Sequence, residues 1–211
     1  YLGSFTGKSV ENGGSLGRKH ATGKGVYFTF RYFLHDFYDQ NKSFIEKSSN
    51  PLAKKVNHLK DQTLNLAIQG FGNVGSAAAV EAYHCNHLNN KVTAVSDRNV
   101  MLYNEEGLNI PELVRFTENN NGELPSTDEQ LAEAGVKAKI KNRDDLLTLD
   151  VDVLFLAALE DQIHAGNMDQ IKAKIIVEGA NGPVTNEADD YLNDQGVLII
   201  PDVLTNAGGV I

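Results

Sequence analysis

The stretch that decides the fold runs from residue 63 to residue 97. It opens Thr63-Leu64-Asn65-Leu66-Ala67-Ile68-Gln69 and turns through Gly70-Phe71-Gly72-Asn73-Val74-Gly75. Ser76-Ala77-Ala78-Ala79-Val80 follows, and the stretch closes on Val92-Thr93-Ala94-Val95-Ser96-Asp97. Residues 63–69 and 92–97 are short apolar runs with strand character, and the Ala-rich segment between them reads as a helix over 73–88. Strand, glycine turn, helix and second strand in that order make a parallel β-α-β unit. Further short apolar runs follow at 138–140, 153–156, 175–177 and 197–200, separated by helical stretches expected at 144–149, 161–171 and 186–195. The runs at 175 and 197 are almost continuous in Ile, Val and Leu, as parallel strands covered on both faces require. Asn109-Ile110-Pro111-Glu112 adds a helix start, with Asn at the cap and Pro in the first turn. Six strands alternating with helices predict an α/β fold with a doubly wound, mostly parallel sheet of the Rossmann type.

The glycine turn carries the first chemical reading. Three fixed glycines are weak in a chain with 19 Gly, and their context strengthens them. Gly70 permits the tight turn, Gly72 lets a pyrophosphate approach the backbone, and Gly75 lets helix and strand pack closely. Phe71, Asn73 and Val74 complete the loop, and the helix N-terminus offers N–H groups and a positive dipole to phosphates. Asp97 ends the second strand about 20 residues on, where a carboxylate accepts from ribose hydroxyls. A turn cap is the alternative role for Asp97. Together these features point to a dinucleotide, NAD before NADP, because Asp97 repels a 2′-phosphate. Arg98, the next residue, is the group that can compensate and admit NADP.

Upstream of residue 63 the chain is different. Gly3, Gly7, Gly13, Gly14 and Gly17 precede Arg18, and then Val26, Phe30, Phe33 and Phe37 recur at helical spacing. This aromatic-rich helix is expected to pack against the sheet or a partner domain, since basic residues to support base stacking are sparse. Residues 41–61 read as a polar connection with one short helix at 52–59. The expected organisation is therefore 1–61 as loop, helix and connection of the same domain, and 62–211 as the dinucleotide-binding core, truncated at its C-terminus.

Composition excludes several functions. A net charge of −9, from 19 basic against 28 acidic residues, is unsuited to a nucleic-acid backbone. No apolar run reaches the roughly 18 residues of a membrane span. One cysteine, Cys85, excludes an internal disulfide framework and suits a reducing, cytoplasmic setting. His84, Cys85 and His87 lie close together, but no partner Cys pair completes a zinc set, so they are read as a helix C-terminus and no metal is expected. Asp144, Asp145, Asp189 and Asp190 are read as solvated helix ends. The chain opens on Tyr1 rather than Met, which is taken as the mark of an excised segment.

Outward from the glycine turn, the sequence resembles the Glu/Leu/Phe/Val dehydrogenase family, most closely its glutamate dehydrogenase branch. The matching stretches are Thr6-Gly7-Lys8, Gly13-Gly14-Ser15-Leu16-Gly17-Arg18, Ala21-Thr22-Gly23-Lys24-Gly25-Val26 and Gly70–Gly75. They continue with Ala157-Ala158-Leu159-Glu160, Val177-Glu178-Gly179-Ala180-Asn181-Gly182-Pro183, Pro201-Asp202-Val203-Leu204 and Asn206-Ala207-Gly208-Gly209-Val210. The resemblance implies oxidative deamination of an amino acid with hydride transfer to NAD(P), and an oligomeric, hexameric parent enzyme. It implies that Thr22 and Asn73 contact the cofactor, and that Arg18, Ala157, Ala158, Asn181 and Asn206 line its nicotinamide end. Asn181 as a turn residue and Asn206 as a helix cap are the structural alternatives. Leu156 stands where the family commonly has Pro, Asp161 where Asn is usual, and His20 where Glu is frequent. The family's catalytic Lys and Asp belong to an N-terminal domain, so no catalytic residue is expected among these 211. The chain alone is expected to bind dinucleotide and to turn over no amino acid. A leucine-, phenylalanine- or valine-type enzyme, and a non-catalytic dinucleotide-sensing module, stay open beside the glutamate reading.

Overall fold

The computed structural model describes Ser9, Glu11, Gly14 and residues 17–209. Of the stretches singled out above, Gly3, Thr6-Gly7-Lys8, Gly13, Ser15, Leu16 and Val210 lie outside the described residues. Seven strands form one sheet: β1 (Leu64–Gln69), β2 (Asn90–Ser96), β3 (Met101–Tyr103), β4 (Lys139–Lys141), β5 (Val153–Leu156), β6 (Ile175–Glu178) and β7 (Leu198–Ile200). Their spatial order is β4-β3-β2-β1-β5-β6-β7. All run in one direction except β3, which pairs antiparallel with β2 and with β4. The doubly wound sheet is therefore as expected, with one strand added. That strand is three residues long, reached from β2 by the tight turn at Asp97–Val100, and too short to show a period.

The helices are α1 (Arg18–Arg31), α2 (Phe37–Lys47), α3 (Pro51–Leu59), α4 (Asn73–His84), α5 (Ile110–Asn119), α6 (Asp128–Ala134), α7 (Asn186–Asp194) and α8 (Asp202–Thr205). A π-helical turn, Tyr32–Asp36, joins α1 to α2 without a break. It corrects the aromatic period. The buried stripe runs Val26, Phe30, Leu34, Tyr38 at steps of four, whereas Phe33 is only half-buried and Phe37 is exposed. A π turn holds more residues than an α turn, so each later side chain falls behind the 3.6-residue phase. Most of the predicted polar connection is helix as well: α2 runs on to Lys47, and α3 starts at Pro51 under an Asn50 cap whose Oδ1 accepts from Leu52 N–H at 2.8 Å.

Two other expectations fail. Residues 161–171 are not a helix: Asp161 has φ 53°, Ile163 bridges to Val184 as an isolated β pair, and only Met168–Gln170 coils, as a 3₁₀ turn. The stretch expected helical at 144–149 is likewise a 3₁₀ segment, Arg143–Thr148. Helix α4 ends at His84 rather than Leu88, because Cys85 is extended. Helix α6 escaped the sequence reading although Thr127 caps it and Gly135 terminates it in the left-handed region.

One core cluster lies between the sheet and the α1/α4 layer, and a second, with Leu154, Ile176 and Leu192, lies on the other face of the sheet. Phe30 meets Phe155 edge-on with centroids 5.3 Å apart, and Tyr27 lies 6.4 Å from the same ring, so α1 is packed on β5. The buried Tyr27 hydroxyl donates to Asn90 Oδ1 at 2.6 Å, and burial pushes its pKa far up. Glu178, at the end of β6, is the only charged side chain in the core among the described residues. Burial raises its carboxyl pKa, and the nearby Asp202 and Asp189 carboxylates add to the rise.

Two outcomes follow for stability. At Gly75 a Cβ would overlap the Gly70 carbonyl oxygen, a backbone atom that cannot turn aside. Gly75→Ala should cost about 1–3 kcal/mol or more, seen as a lower urea midpoint; an unchanged midpoint would show that the turn can relax. For Glu178 the folded-state pKa lies above the unfolded one, so its contribution is whole below the unfolded value and is lost as pH rises through the folded value. The melting temperature of Glu178→Gln relative to wild type should therefore climb as pH rises above the ordinary carboxyl range. A difference that stays flat as pH rises contradicts the assignment.

Candidate functional site

Strand β1 sits between β2 and β5, and the chain leaves it in opposite directions to reach the two halves of the sheet. In such sheets a crevice opens beyond the carboxyl ends of the strands at this switch point. Here the crevice is a cleft of about 710 Å³. Its floor is the turn at Gly70, Phe71 and Gly72, and one wall is Ala157 and Ala158 after β5. Asp97 and Arg98 after β2 form the opposite wall.

The turn is built as its residues dictate. Gly70 has φ +89°, and a Cβ there would lie 2.6 Å from the Ala157 carbonyl oxygen. Gly72 caps α4 with no side-chain hydrogen bond, and a Cβ at Gly72 would meet nothing within 4 Å. The first turn of α4 thus presents N–H groups without side-chain cover, facing open space, which is the arrangement that suits an anion. Phe71 borders the cleft although its side chain is buried in the core. Val74 is turned inward, with its Cγ1 3.4 Å from where a Cβ of Gly179 would be. Asn73 lines a neighbouring hollow with Lys19, His20, Gly72 and Ser76. The histidine that stands in place of a frequent Glu therefore lies beside the α4 N-terminus.

Asp97 is a turn cap that also stands in the wall of the cleft. Its Oδ1 accepts from Asn99 N–H at 2.7 Å and Val100 N–H at 2.9 Å, and its Oδ2 accepts from Leu124 N–H at 2.8 Å. It caps the β2–β3 turn and at the same time borders the cleft. Arg98 is exposed and paired with Glu123, which raises the guanidinium pKa and lowers that of the carboxyl. Arg143 donates to the Arg98 carbonyl and lies 3.3 Å from Asp144.

The remaining candidates lie outside the lining of the cleft. Asn206 Nδ2 donates to Asn181 Oδ1 at 2.9 Å, bringing together two residues 25 apart in sequence. Thr22, on α1, faces Gly209, where a Cβ would strike its hydroxyl oxygen. Arg18 opens α1 half-exposed and has no hydrogen bond or ion pair among the described residues. Arg18, Thr22, Asn181 and Asn206 do not border the cleft itself. Asp161 holds a left-handed conformation, which short polar side chains tolerate, so the Asp-for-Asn exchange keeps the local backbone.

Several lining residues were missed. Asn121, Gly122 and Glu123 come from the Asn-rich loop after α5, Arg143 follows β4, and Gln162 is joined to Gln69 through a 2.8 Å hydrogen bond. Each arrives from a distant loop, and no local pattern marks it. His87 meets His35 with ring centroids 4.9 Å apart. Among the described residues, no group of three or more His, Cys, Asp or Glu is placed to hold a metal ion, and no helix is long and apolar enough to cross a membrane.

The comparison with known proteins bears on the whole chain. The model of the Glutamate/Leucine/Phenylalanine/Valine dehydrogenase family matches residues 13–211. A glutamate dehydrogenase of Thermotoga maritima is 42% identical over 209 residues, covering 99% of this chain and 43% of that protein. An NADP-specific glutamate dehydrogenase of Synechocystis is 38% identical over 208 residues, covering 97% of this chain and 42% of that one. Among solved structures, a hetero-hexameric glutamate dehydrogenase from Thermus thermophilus superposes with a TM-score of 0.71 at 28% identity, over 99% of this chain and 42% of that one. The chain therefore spans less than half the length of these relatives. With the switch-point cleft, the glycine turn and this match agreeing along one chain, the protein belongs to the glutamate/leucine/phenylalanine/valine dehydrogenase family.

Proposed function

We propose that these residues form the dinucleotide-binding part of an amino-acid dehydrogenase of the glutamate type. The observation that carries the reading is the uncovered N-terminus of α4, set at the switch point between a glycine turn and Asp97. In this reading the pyrophosphate lies over Gly70, Gly72 and the first turn of α4, with Asn73 beside it. Asp97 Oδ2, with one amide donor, keeps acceptor capacity for a ribose hydroxyl. Ala157 and Ala158 leave room for the dinucleotide to run toward Thr22, Asn181, Asn206 and Arg18. The Asn pair keeps one amide donor and one carbonyl acceptor free, the complement of a primary carboxamide such as that of nicotinamide. That lining supports a catalytic nicotinamide enzyme over an adenine-nucleotide sensor.

When bound, the nicotinamide ring supplies the hydride acceptor; the groups of this chain hold and orient it. The substrate-binding and acid–base groups come, in this reading, from residues outside these 211. Residues 1–61 belong to the same domain as the core at 62–211, acting in a cytoplasmic oligomer. The glutamate preference leans on the names of the relatives. Calorimetric titration should detect NAD and NADH binding to the chain at about 1 mM or below, with no reduced nicotinamide formed from glutamate, leucine or phenylalanine. A folded chain that binds neither form defeats the cofactor reading, and ordinary turnover defeats the division of labour.

For cofactor choice we favour NAD. Asp97 lies in the cleft wall, and two like charges about 4 Å apart repel by several kcal/mol at an effective dielectric near 20. Arg98 is engaged by Glu123 and would have to leave it to meet a 2′-phosphate. Asp97→Ala should narrow the preference for NAD over NADP about tenfold or more. Tighter NADP binding by wild type, lost in Arg98→Ala, would reverse the assignment.

A further inference from the structure

We infer that Glu178 is a positioning residue for the nicotinamide end of the cleft, tying together the two segments that carry Asn181 and Asn206. The inference rests on the role proposed above for those two residues. Glu178 closes β6 and is 7% exposed. Its Oε2 accepts from Asp202 N–H at 3.1 Å, in the segment that leads through α8 to Asn206. The main-chain oxygen of Glu178 also accepts from the buried Thr205 hydroxyl, one residue before Asn206. Asp202 closes the circuit: its Oδ2 accepts from Gly182 N–H at 2.9 Å, one residue after Asn181.

The chemistry explains why an acceptor side chain serves here. The Asp202 N–H points at a buried place and needs an acceptor there. A side-chain oxygen of Glu178 supplies it, and Asp202 in turn holds the Asn181 segment through Gly182. Gly182 and Thr205, adjoining the two asparagines, are fixed through the same network. The hydrogen bond from Asn206 Nδ2 to Asn181 Oδ1 at 2.9 Å is its exposed end. Glu178 touches no cofactor in this arrangement and acts through the loops alone.

The test separates the two halves of the ligand. NAD and ADP-ribose, which lacks only the nicotinamide, are titrated calorimetrically into wild type, Asn181→Ala, Asn206→Ala, Glu178→Ala, Glu178→Gln and Thr205→Val. Glu178→Ala should weaken NAD about three- to tenfold and leave ADP-ribose unchanged, the loss expected from one or two loosened hydrogen bonds. Glu178→Gln keeps an acceptor oxygen and should stay within about twofold of wild type. Thr205→Val should weaken NAD alone, and it carries the test if Glu178→Ala does not fold. Equal weakening of both ligands marks a general structural role and overturns the inference. If the asparagine variants leave NAD binding intact, the reading of the nicotinamide end fails and the inference falls with it. If they weaken NAD while folded Glu178→Ala and Thr205→Val do not, the positioning role alone is overturned.

Discussion

The structure depends on a close approach of backbone to backbone, between the carbonyl of Gly70 and the first turn of α4. No side chain can stand between them, as the overlap of a Cβ at Gly75 with that carbonyl oxygen demonstrates. The approach brings the helix end over the carboxyl end of β1, so its unpaired N–H groups open onto the cleft. It also sets the height at which α4 crosses the sheet, and α1 is laid on α4 just as closely. A Cβ at Gly23 would lie 2.6 Å from the Ala77 Cβ. With α1 fixed, Thr22 is held against the 3₁₀ turn Asn206–Gly209. One contact without side chains thus fixes the floor of the cleft and, through α1, the place of Thr22.

How much was legible beforehand follows from where each signal resides. Residues 66–68, 153–156 and 175–177 announce themselves because parallel strands covered on both faces must be apolar. The glycine turn is equally plain, since each glycine answers a local steric demand. Residues 161–171 misled because Met168 and Ile171 are spaced like one face of a helix, although Met168 opens a 3₁₀ turn and Ile171 lies just beyond it. Both pack into the same cluster, so the apolar spacing is real and its helical cause is not. Strand β3 offers only Met101, Leu102 and Tyr103, too few residues to display alternation.

The site divides along the same line. Asp97 was found because its distance from the glycine turn is set by the length of one helix and one strand. Glu123, Arg143 and Gln162 reach the cleft from three separate loops, and nothing near them in sequence refers to it. Asn181 and Asn206 were marked only by family resemblance, and their mutual hydrogen bond is a product of tertiary packing. Glu178 shows the limit best. An acidic residue at the end of an apolar run reads as the start of a loop, whereas its carboxyl group is buried and takes the Asp202 N–H.

The π-helical turn at Tyr32–Asp36 acts as a phase-shifter between two rigid rods. One residue in an α-helix corresponds to a rotation of about 100° about its axis. Wound as a continuous α-helix, the same residues would swing α2 round by roughly that angle. Phe37 would then take the inward place of Tyr38, whose hydroxyl now bonds Glu46 at 3.0 Å and Asn57 at 3.1 Å. Helix α3 hangs from α2 through those bonds, and its Lys55 reaches the carbonyls of Gly196 and Lys174 beside β7 and β6. The angular setting of one turn is therefore transmitted along two helices to the opposite edge of the sheet, which makes the winding of this segment as constrained as its composition.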